Sequence, residues 1–311
     1  MTALICGSMA FDTIMVFEDR FKNHILPDQV HILNVSFLVP SMRREFGGCA
    51  GNIAYNLNLL GGECRPMATV GQDFSPYAQW MDHSGVSRQS LKVLADDYTA
   101  QAYITTDQDD NQITAFHPGA MNQSHLNTVT DEPGITIGII SPDGRQGMIE
   151  HANQFSEAGI PFIFDPGQGM PMFDGDDLNR FLKQATWLTL NDYEFQLFSE
   201  RTGKNAEEIA REVDALVVTR GAEGSIIHAN NQEMTIPAAT INQLKDPTGC
   251  GDAYRSGLLY GLINDMDWET TARLAAIMGA CKIEVNGTQN HAPTRDEIGY
   301  RFKQNFDYMP W

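Results

Sequence analysis

Basic residues are scarce in this chain. Twenty-one Lys and Arg stand against 40 Asp and Glu, for a formal net charge of −19. A surface of that sign repels nucleic-acid phosphate and anionic lipid, which argues against nucleic acid or a membrane surface as partner. A small phosphorylated ligand stays allowed, because backbone amides and a metal ion can supply positive potential locally. Cysteines number only five, Cys6, Cys49, Cys64, Cys250 and Cys281. The count is odd, the spacings are wide and no C-x-x-C occurs, so reduced thiols are expected. The eight histidines form no H-E-x-x-H and no paired zinc spacing, which argues against structural zinc. No apolar run reaches membrane-spanning length. The opening Met1–Ser8 runs into a strand pattern without the basic start or cleavage site of a secretion signal, so a cytoplasmic location is expected. Three motifs are missing too. There is no G-x-x-x-x-G-K-[ST], no G-x-G-x-x-G after a strand and no G-x-S-x-G, which removes the P-loop, dinucleotide-fold and α/β-hydrolase arguments.

What remains is an alternating pattern. Buried-strand runs at Leu4–Cys6, Pro66–Val70, Ile135–Ile140, Pro161–Phe164, Trp187–Leu190 and Ala215–Thr219 are separated by helical runs. The helical runs are Ala50–Leu60, Ser75–Ser84, Gln146–Ala158, Asp177–Ala185, Tyr193–Arg201, Ala206–Val213 and Glu269–Ile283. This rhythm predicts an α/β fold with a parallel sheet covered by helices on both faces. Two segments break it. Val30–Phe46 reads as extended, and Thr99–His117 reads as a hairpin around a polar turn at Asp107–Asn111. Together they predict a small β-sheet lid, inserted at about residues 13–46 and 97–118 of a single domain spanning 1–311. With 311 residues there is ample chain for one such core.

The most informative motif is Asp246-Pro247-Thr248-Gly249-Cys250-Gly251-Asp252, directly before a helical run from Ala253 to Ile263. Two glycines at a helix start let backbone N–H groups point outward together, and the helix dipole reinforces the anion pocket so formed. Asp252 is fixed one residue beyond it. Amides that hold a transferring phosphoryl group, beside a base that accepts a proton from a hydroxyl, are the parts an alcohol kinase needs. A tight turn with a helix cap would use the same residues. Four further groups invite the same comparison. Phe46-Gly47-Gly48-Cys49-Ala50-Gly51-Asn52 offers open main chain and an amide for hydroxyls, or a glycine turn. Asp12, read as just past the first strand, can accept from a diol or cap a turn. Asn191 and Glu194 are hard oxygen ligands suited to Mg²⁺, or a capping box. Thr219-Arg220-Gly221-Ala222-Glu223-Gly224 can hold a nucleotide phosphate through its backbone, or is a turn that needs glycine.

In this order, the motifs resemble the ribokinase (PfkB) family of carbohydrate kinases over about residues 4–300. Within it, Phe46–Gly62, Ile113–Met121 and Phe164–Gly169 look most like the bacterial nucleoside kinases related to adenosine kinase. The resemblance implies a ribokinase-like three-layer sandwich with a mostly parallel central sheet and a β-sheet lid. It implies ATP and Mg²⁺, with K⁺ as a further cation, and transfer of the γ-phosphate to the 5′-hydroxyl of a ribonucleoside, adenosine first. A ribose or fructose kinase and a non-catalytic ligand-binding relative are the alternatives. Asp252 would be the base, with Gly249, Cys250 and Gly251 the anion hole. Asp12, Gly48, Asn52, Gln101 and Phe116 would bind substrate. Asn191, Thr219, Gly221, Gly224, Ala276 and Gly279 would line the ATP site, with Asn191 and Glu194 holding Mg²⁺ through water. Asp246 and Thr248, with the Ile283–Gly287 segment, match the place of a monovalent cation. Many relatives have Ala where Cys250 stands; a thiol at a helix start can be acidified, but a small residue tolerated in place of alanine is the simpler expectation. The lid's apolar Phe37, Val39, Ala102 and Phe116 could face a nucleobase or the lid's own core. Exposed lid strands could pair between subunits, a homodimer being as compatible with the sequence as a monomer.

Overall fold

The computed structural model describes residues 1–25, 34–109 and 111–311. Among the described residues, the strands are β1 (Thr2–Cys6), β2 (Ala10–Val16), β3 (Ser41–Gly47), β4 (Glu63–Gly71), β5 (Leu91–Leu94), β6 (Ala100–Thr106), β7 (Gln112–His117), β8 (Ile135–Ile140), β9 (Phe162–Phe164), β10 (Trp187–Asn191), β11 (Ala215–Thr219), β12 (Ser225–Ala229) and β13 (Gln232–Ile236). The α-helices are α1 (Cys49–Leu59), α2 (Ser75–Ser84), α3 (Arg145–Ala158), α4 (Gly175–Gln184), α5 (Asp192–Thr202), α6 (Ala206–Ala210), α7 (Cys250–Ile263), α8 (Trp268–Ile283) and α9 (Arg295–Phe306).

Nine strands form the main sheet in the order β13-β12-β11-β10-β9-β8-β1-β4-β5. From β11 through β5 every pairing is parallel, and β12 and β13 add an antiparallel edge. Side chains along each strand alternate between two cores, as the two-residue period requires. Ala3 and Ile5 of β1 pack in one core with residues of α1, α7, α8 and α9, such as Ile53, Leu259, Ile277 and Phe302. Leu4 and Cys6 pack in the other with Met148, Phe181 and Phe198 of α3, α4 and α5. The result is three layers, helix on sheet on helix. From β1 the chain runs to β4 on one side, and β8 takes the other side. This is the topological switch point where open α/β sheets place ligands, beyond the carboxyl ends of the strands.

The second sheet has four strands in the order β3-β2-β6-β7 and forms the lid. It begins earlier than the sequence pattern suggested. The chain leaves β1 and enters β2 at Ala10, so Asp12 lies inside a lid strand and not just past the first strand. The expected hairpin is β6–β7, and the expected extended segment contributes β3; residues 30–33 of that segment lie outside the described residues. Phe37 turns to the lid's own small core, packing on Phe17 and Phe21 with ring centroids 4.8 and 5.1 Å away. Short or exposed elements escaped the sequence reading: four-residue β5, the β12–β13 hairpin and α9. Helix α6 stops at Ala210 rather than Val213, and buried Val213 is carried by a turn. No helix among the described residues is long and apolar enough to cross a membrane.

Helix α7 carries the richest motif, and its seat is set by small residues. Gly257 and Gly261 face α8, where a Cβ on Gly257 would fall 2.4 Å from the Ala275 Cα and one on Gly261 2.3 Å from the Thr271 Oγ1. The two helices therefore pack nearly backbone to backbone. Gly257→Ala is expected to cost about 1–3 kcal/mol through overpacking, read as a lower urea midpoint. An unchanged midpoint would show that the α7–α8 spacing is not fixed by contact.

Candidate active site

Helices α1 and α7 both start in the crevice at the switch point, and both start on a glycine with positive φ. Gly48 has φ 85° and Gly249 φ 80°, a region where a side chain is strained. At Gly48 a Cβ would also meet the Ser8 carbonyl at 2.5 Å. Helices α4, α5, α6, α8 and α9 are closed by a side-chain cap, while α1 and α7, like α2 and α3, have none. Such a cap normally takes up an orphan N–H of the first turn. Among the described residues, no protein group accepts from the amides of Gly251 and Asp252. Gly251 is exposed, so the start of α7 presents donors and dipole to the cleft.

Asp252 occupies the third position of α7. Its Oδ2 accepts a 2.8 Å hydrogen bond from Asn52 Nδ2 on α1. Asn52 is held in turn: its Oδ1 accepts from Gln289 Nε2 at 3.0 Å. The same nitrogen donates to Tyr77 Oη at 2.6 Å, and that hydroxyl donates to the Gly47 carbonyl at 2.8 Å. Trp80 Nε1 donates to Gln289 Oε1 at 2.9 Å. Every polar atom of the relay has one direction open to it, so Asn52 can only present N–H to Asp252. Part of the Asp252 surface stays accessible while protein surrounds the rest. Burial is the main reason its pKa rises to about 6; the Asp165 carboxylate adds to the rise, and the Asn52 bond and Arg255 oppose it.

The lid brings a second carboxylate to the same place. Asp12 pairs with Glu45 of β3 and Ala102 of β6, and Ala102 pairs with Phe116 of β7. Directly paired residues share a face, so Asp12, Ala102 and Phe116 line one side of the lid. A Cβ on Gly47 would meet the Asp12 Oδ2 at 2.6 Å, which sets that carboxylate over the glycines before α1. Burial first, then Glu45 and Asp246, raises the Asp12 pKa to about 6. Phe116 is 53% exposed, and among the described residues no other aromatic ring packs on it. Gln101 does not join this group. It neighbours Ala102 and so points to the opposite face, where its amide donates to Asp73 at 2.9 Å and accepts from Tyr103.

On the other side of α7 lies a feature the sequence reading missed. Arg255, one turn beyond Asp252, is buried and binds Asp165 at the end of β9 through two bonds of 2.9 and 3.0 Å. Its guanidinium also comes within 3.9 Å of Glu194. Burial works against the arginine's charge, but Asp165, Glu194 and Asp252 outweigh it and hold its pKa above the ordinary value. The Glu194 pKa is raised, by burial and then by Asp165. Phe164–Gly169 carried part of the family resemblance, but a pair 90 residues apart in sequence leaves no local signal.

Asn191 and Glu194 form the capping box of α5. Glu194 N–H donates to Asn191 Oδ1 at 2.7 Å, and Asn191 N–H donates to Glu194 Oε2 at 2.8 Å. Among the described residues no group of three His, Cys, Asp or Glu side chains is arranged to hold a metal alone. The donor chemistry nonetheless suits Mg²⁺, which keeps most of its waters and takes few protein ligands. Three carboxylates, Asp165, Glu194 and Asp252, share one guanidinium here. Thr219 ends β11 in register with Asn191, so both sit on the same rim. Gly221 has open space around it, whereas Gly224 is structural: a Cβ there would strike the Ile236 carbonyl at 2.0 Å. Ala276 and Gly279 lie half-buried on α8, and Gly279 faces the Cys250 carbonyl. The Cys250 thiol is pushed up to about 11, chiefly by burial, so the helix start does not acidify it. Asp246 accepts from the N–H groups of Thr248 and Gly287, both at 2.9 Å. Those donors outweigh its burial and lower its pKa.

Three comparisons bear on this geometry. The sequence pattern of the pfkB family carbohydrate kinases matches residues 13–295. A nucleoside kinase of Burkholderia thailandensis, solved in complex with inosine, is 54% identical, covers 99% of each chain and superposes with a TM-score of 0.90; its complex with ADP-inosine gives 56% and 0.88, covering 99% of this chain and 97% of that one. A nucleoside kinase of Methanocaldococcus jannaschii is 28% identical over 285 residues, 88% of this chain and 90% of that one. The chain is a phosphotransferase and belongs to the pfkB family of carbohydrate kinases.

Proposed function

We propose that this protein is an ATP-dependent nucleoside kinase that phosphorylates the 5′-hydroxyl of a purine ribonucleoside. One observation carries the reading: a half-buried carboxylate, Asp252, aimed by Asn52, stands at the open amides of a glycine-capped helix. Asp12 and Asn52 would hold the ribose hydroxyls, with the open main chain at Gly48 beside them. The exposed Phe116 ring on the Asp12 face supports a flat base as the third part of the substrate. The neighbour solved with inosine adds a hypoxanthine riboside to adenosine, the first expectation.

In the proposed reaction the 5′-hydroxyl gives its proton to Asp252 as its oxygen attacks the γ-phosphorus. The bond to the bridging oxygen breaks, and ADP leaves with that electron pair. Phosphoryl transfer asks a protein mainly for positioning and charge stabilisation. The amides of Gly251 and Asp252 would meet the charge on the transferred group, with Gly249 and Cys250 shaping the turn. The rim formed by Asn191, Thr219, Gly221, Gly224, Ala276 and Gly279 would hold the nucleotide. Glu194, through water, would hold Mg²⁺, which neutralises phosphate charge when bound. Arg255 acts as a positioning residue, fixing the turn of α7 that carries Asp252. Closure of the lid would exclude water and so protect ATP from hydrolysis.

Asp252→Asn is expected to lower kcat by ~10²–10⁴-fold while nucleoside binding, measured by calorimetry, persists. Its folded stability at pH 8 should not fall. The raised pKa means that the ionised carboxylate opposes folding above about pH 6, and the amide removes that charge. Turnover near wild type would take Asp252 out of the role. The acid limb of kcat/KM should fall through about pH 6, because the base must be ionised to act; flat rates down to pH 5 would contradict this. Phe116→Ala should raise KM for adenosine and inosine roughly 5–150-fold, the worth of one base–aromatic stack, without affecting any turnover of free ribose. Phosphate transfer to ribose and to no nucleoside would overturn the proposal in favour of a sugar kinase.

A further inference from the structure

The place matched to a monovalent cation is built around a lysine. Lys282, near the end of α8, has a side chain with no exposed surface. Its ammonium donates to the carbonyl of Asp246 at 2.7 Å and to that of Val285 at 3.1 Å, and stands 3.8 Å from Asp246 Oδ2. Two carbonyls and a carboxylate around one buried charge are the hard oxygen set that an alkali ion would use. Each oxygen of the Asp246 carboxylate also accepts one backbone N–H, from Thr248 and from Gly287. A second cation here would stand beside the first in a region that water screens poorly. Asp246, Thr248 and the Ile283–Gly287 segment therefore do not fit a metal ion while Lys282 is present.

The surroundings show what the charge acts on. The N–H groups of Lys245 and Asp246 both donate to the Ile283 carbonyl, at 2.9 and 3.1 Å, so the loop entering the motif is tied to the end of α8. Four residues on, Cys250 opens α7 and lies within the lysine's field. His291 lies within it too. Burial opposes the ammonium's charge, and Asp246 supports it.

We infer that Lys282 is a covalent replacement for a bound monovalent cation, and that the enzyme runs without K⁺. This rests on the kinase reading for its kinetic arm and on binding alone for its thermal arm. The protein is assayed with ATP, Mg²⁺ and adenosine or inosine, in KCl or in choline chloride of equal ionic strength, and its melting midpoint is measured in both salts. The wild type should differ by less than about twofold in rate, against the ~5-fold or more of a true coupled site, and should melt alike in both. Lys282→Ala should lose rate in choline and regain it in KCl, and KCl should raise its melting midpoint, as expected of an ion bound only by the folded state. Activation of the wild type by K⁺, or a folded Lys282→Ala that ignores K⁺ in both rate and melting, would overturn the inference. If that variant does not fold, the wild-type rate and melting comparison decides alone. No phosphorylation of either nucleoside in either salt would instead sink the kinase reading, leaving the melting data to judge the cation site.

Discussion

The hydrogen bond from Asn52 to Asp252 closes a sequence separation of 200 residues. It can form only because two helix starts converge at the switch point of the main sheet. Both starts need glycine, one for close approach to the Ser8–Ala10 backbone and both for positive φ. The small faces of α7 and α8 let α7 reach that depth. The relay through Gln289 and Tyr77 then fixes which atom of Asn52 meets the carboxylate. If α7 moved outward, Asp252 would lose its donor and its buried setting together, and its raised pKa would relax toward that of an ordinary aspartate.

Much of this was legible in the sequence, because the responsible features are local. The strand and helix periods gave the parallel core, and the 246–252 motif gave the helix start with its carboxylate. The readings that went astray depended on chain paths that local pattern does not encode. Asp12 was read as following β1, because nothing local separates a strand's end from a short crossing into a second sheet. Gln101 was grouped with the substrate residues, yet the two-residue period of β6 sends it to the face opposite Ala102. Phe37 and Phe116 look alike as lid aromatics; only the fold packs the first against other rings and leaves half of the second exposed. Asn191 and Glu194 do what their spacing equally allowed, closing α5 as a capping box, and they do so on the rim shared with Thr219. Arg255 and Asp165 carry no mutual signal in sequence.

Charge is handled by depth. The chain carries −19 overall, and Asp12, Asp165, Glu194 and Asp252 concentrate part of that charge at the cleft. Its answer is a small number of interior cations with fixed partners. Arg255 neutralises one flank of α7 and Lys282 underpins the loop leading into the other. Neither is free to wander, since each is tied to carbonyl or carboxylate oxygens on separate elements. The anion site proposed at the start of α7 would rely on main-chain dipoles, which do not titrate, and that would let an acidic protein hold a polyanion.

Thr288 bridges the lid and the start of α7. Its hydroxyl donates to the Phe46 carbonyl at the end of lid strand β3, while its methyl lies against Gly249. Asn290 holds Glu45 of the same strand. A swing of β3 cannot leave the glycine cap of α7 untouched: it must either snap this latch or pull on the cap. In the proposed lid closure, lid position and amide alignment would thus be geared through one side chain, so that the amides under an open lid need not be aligned like those under a shut one.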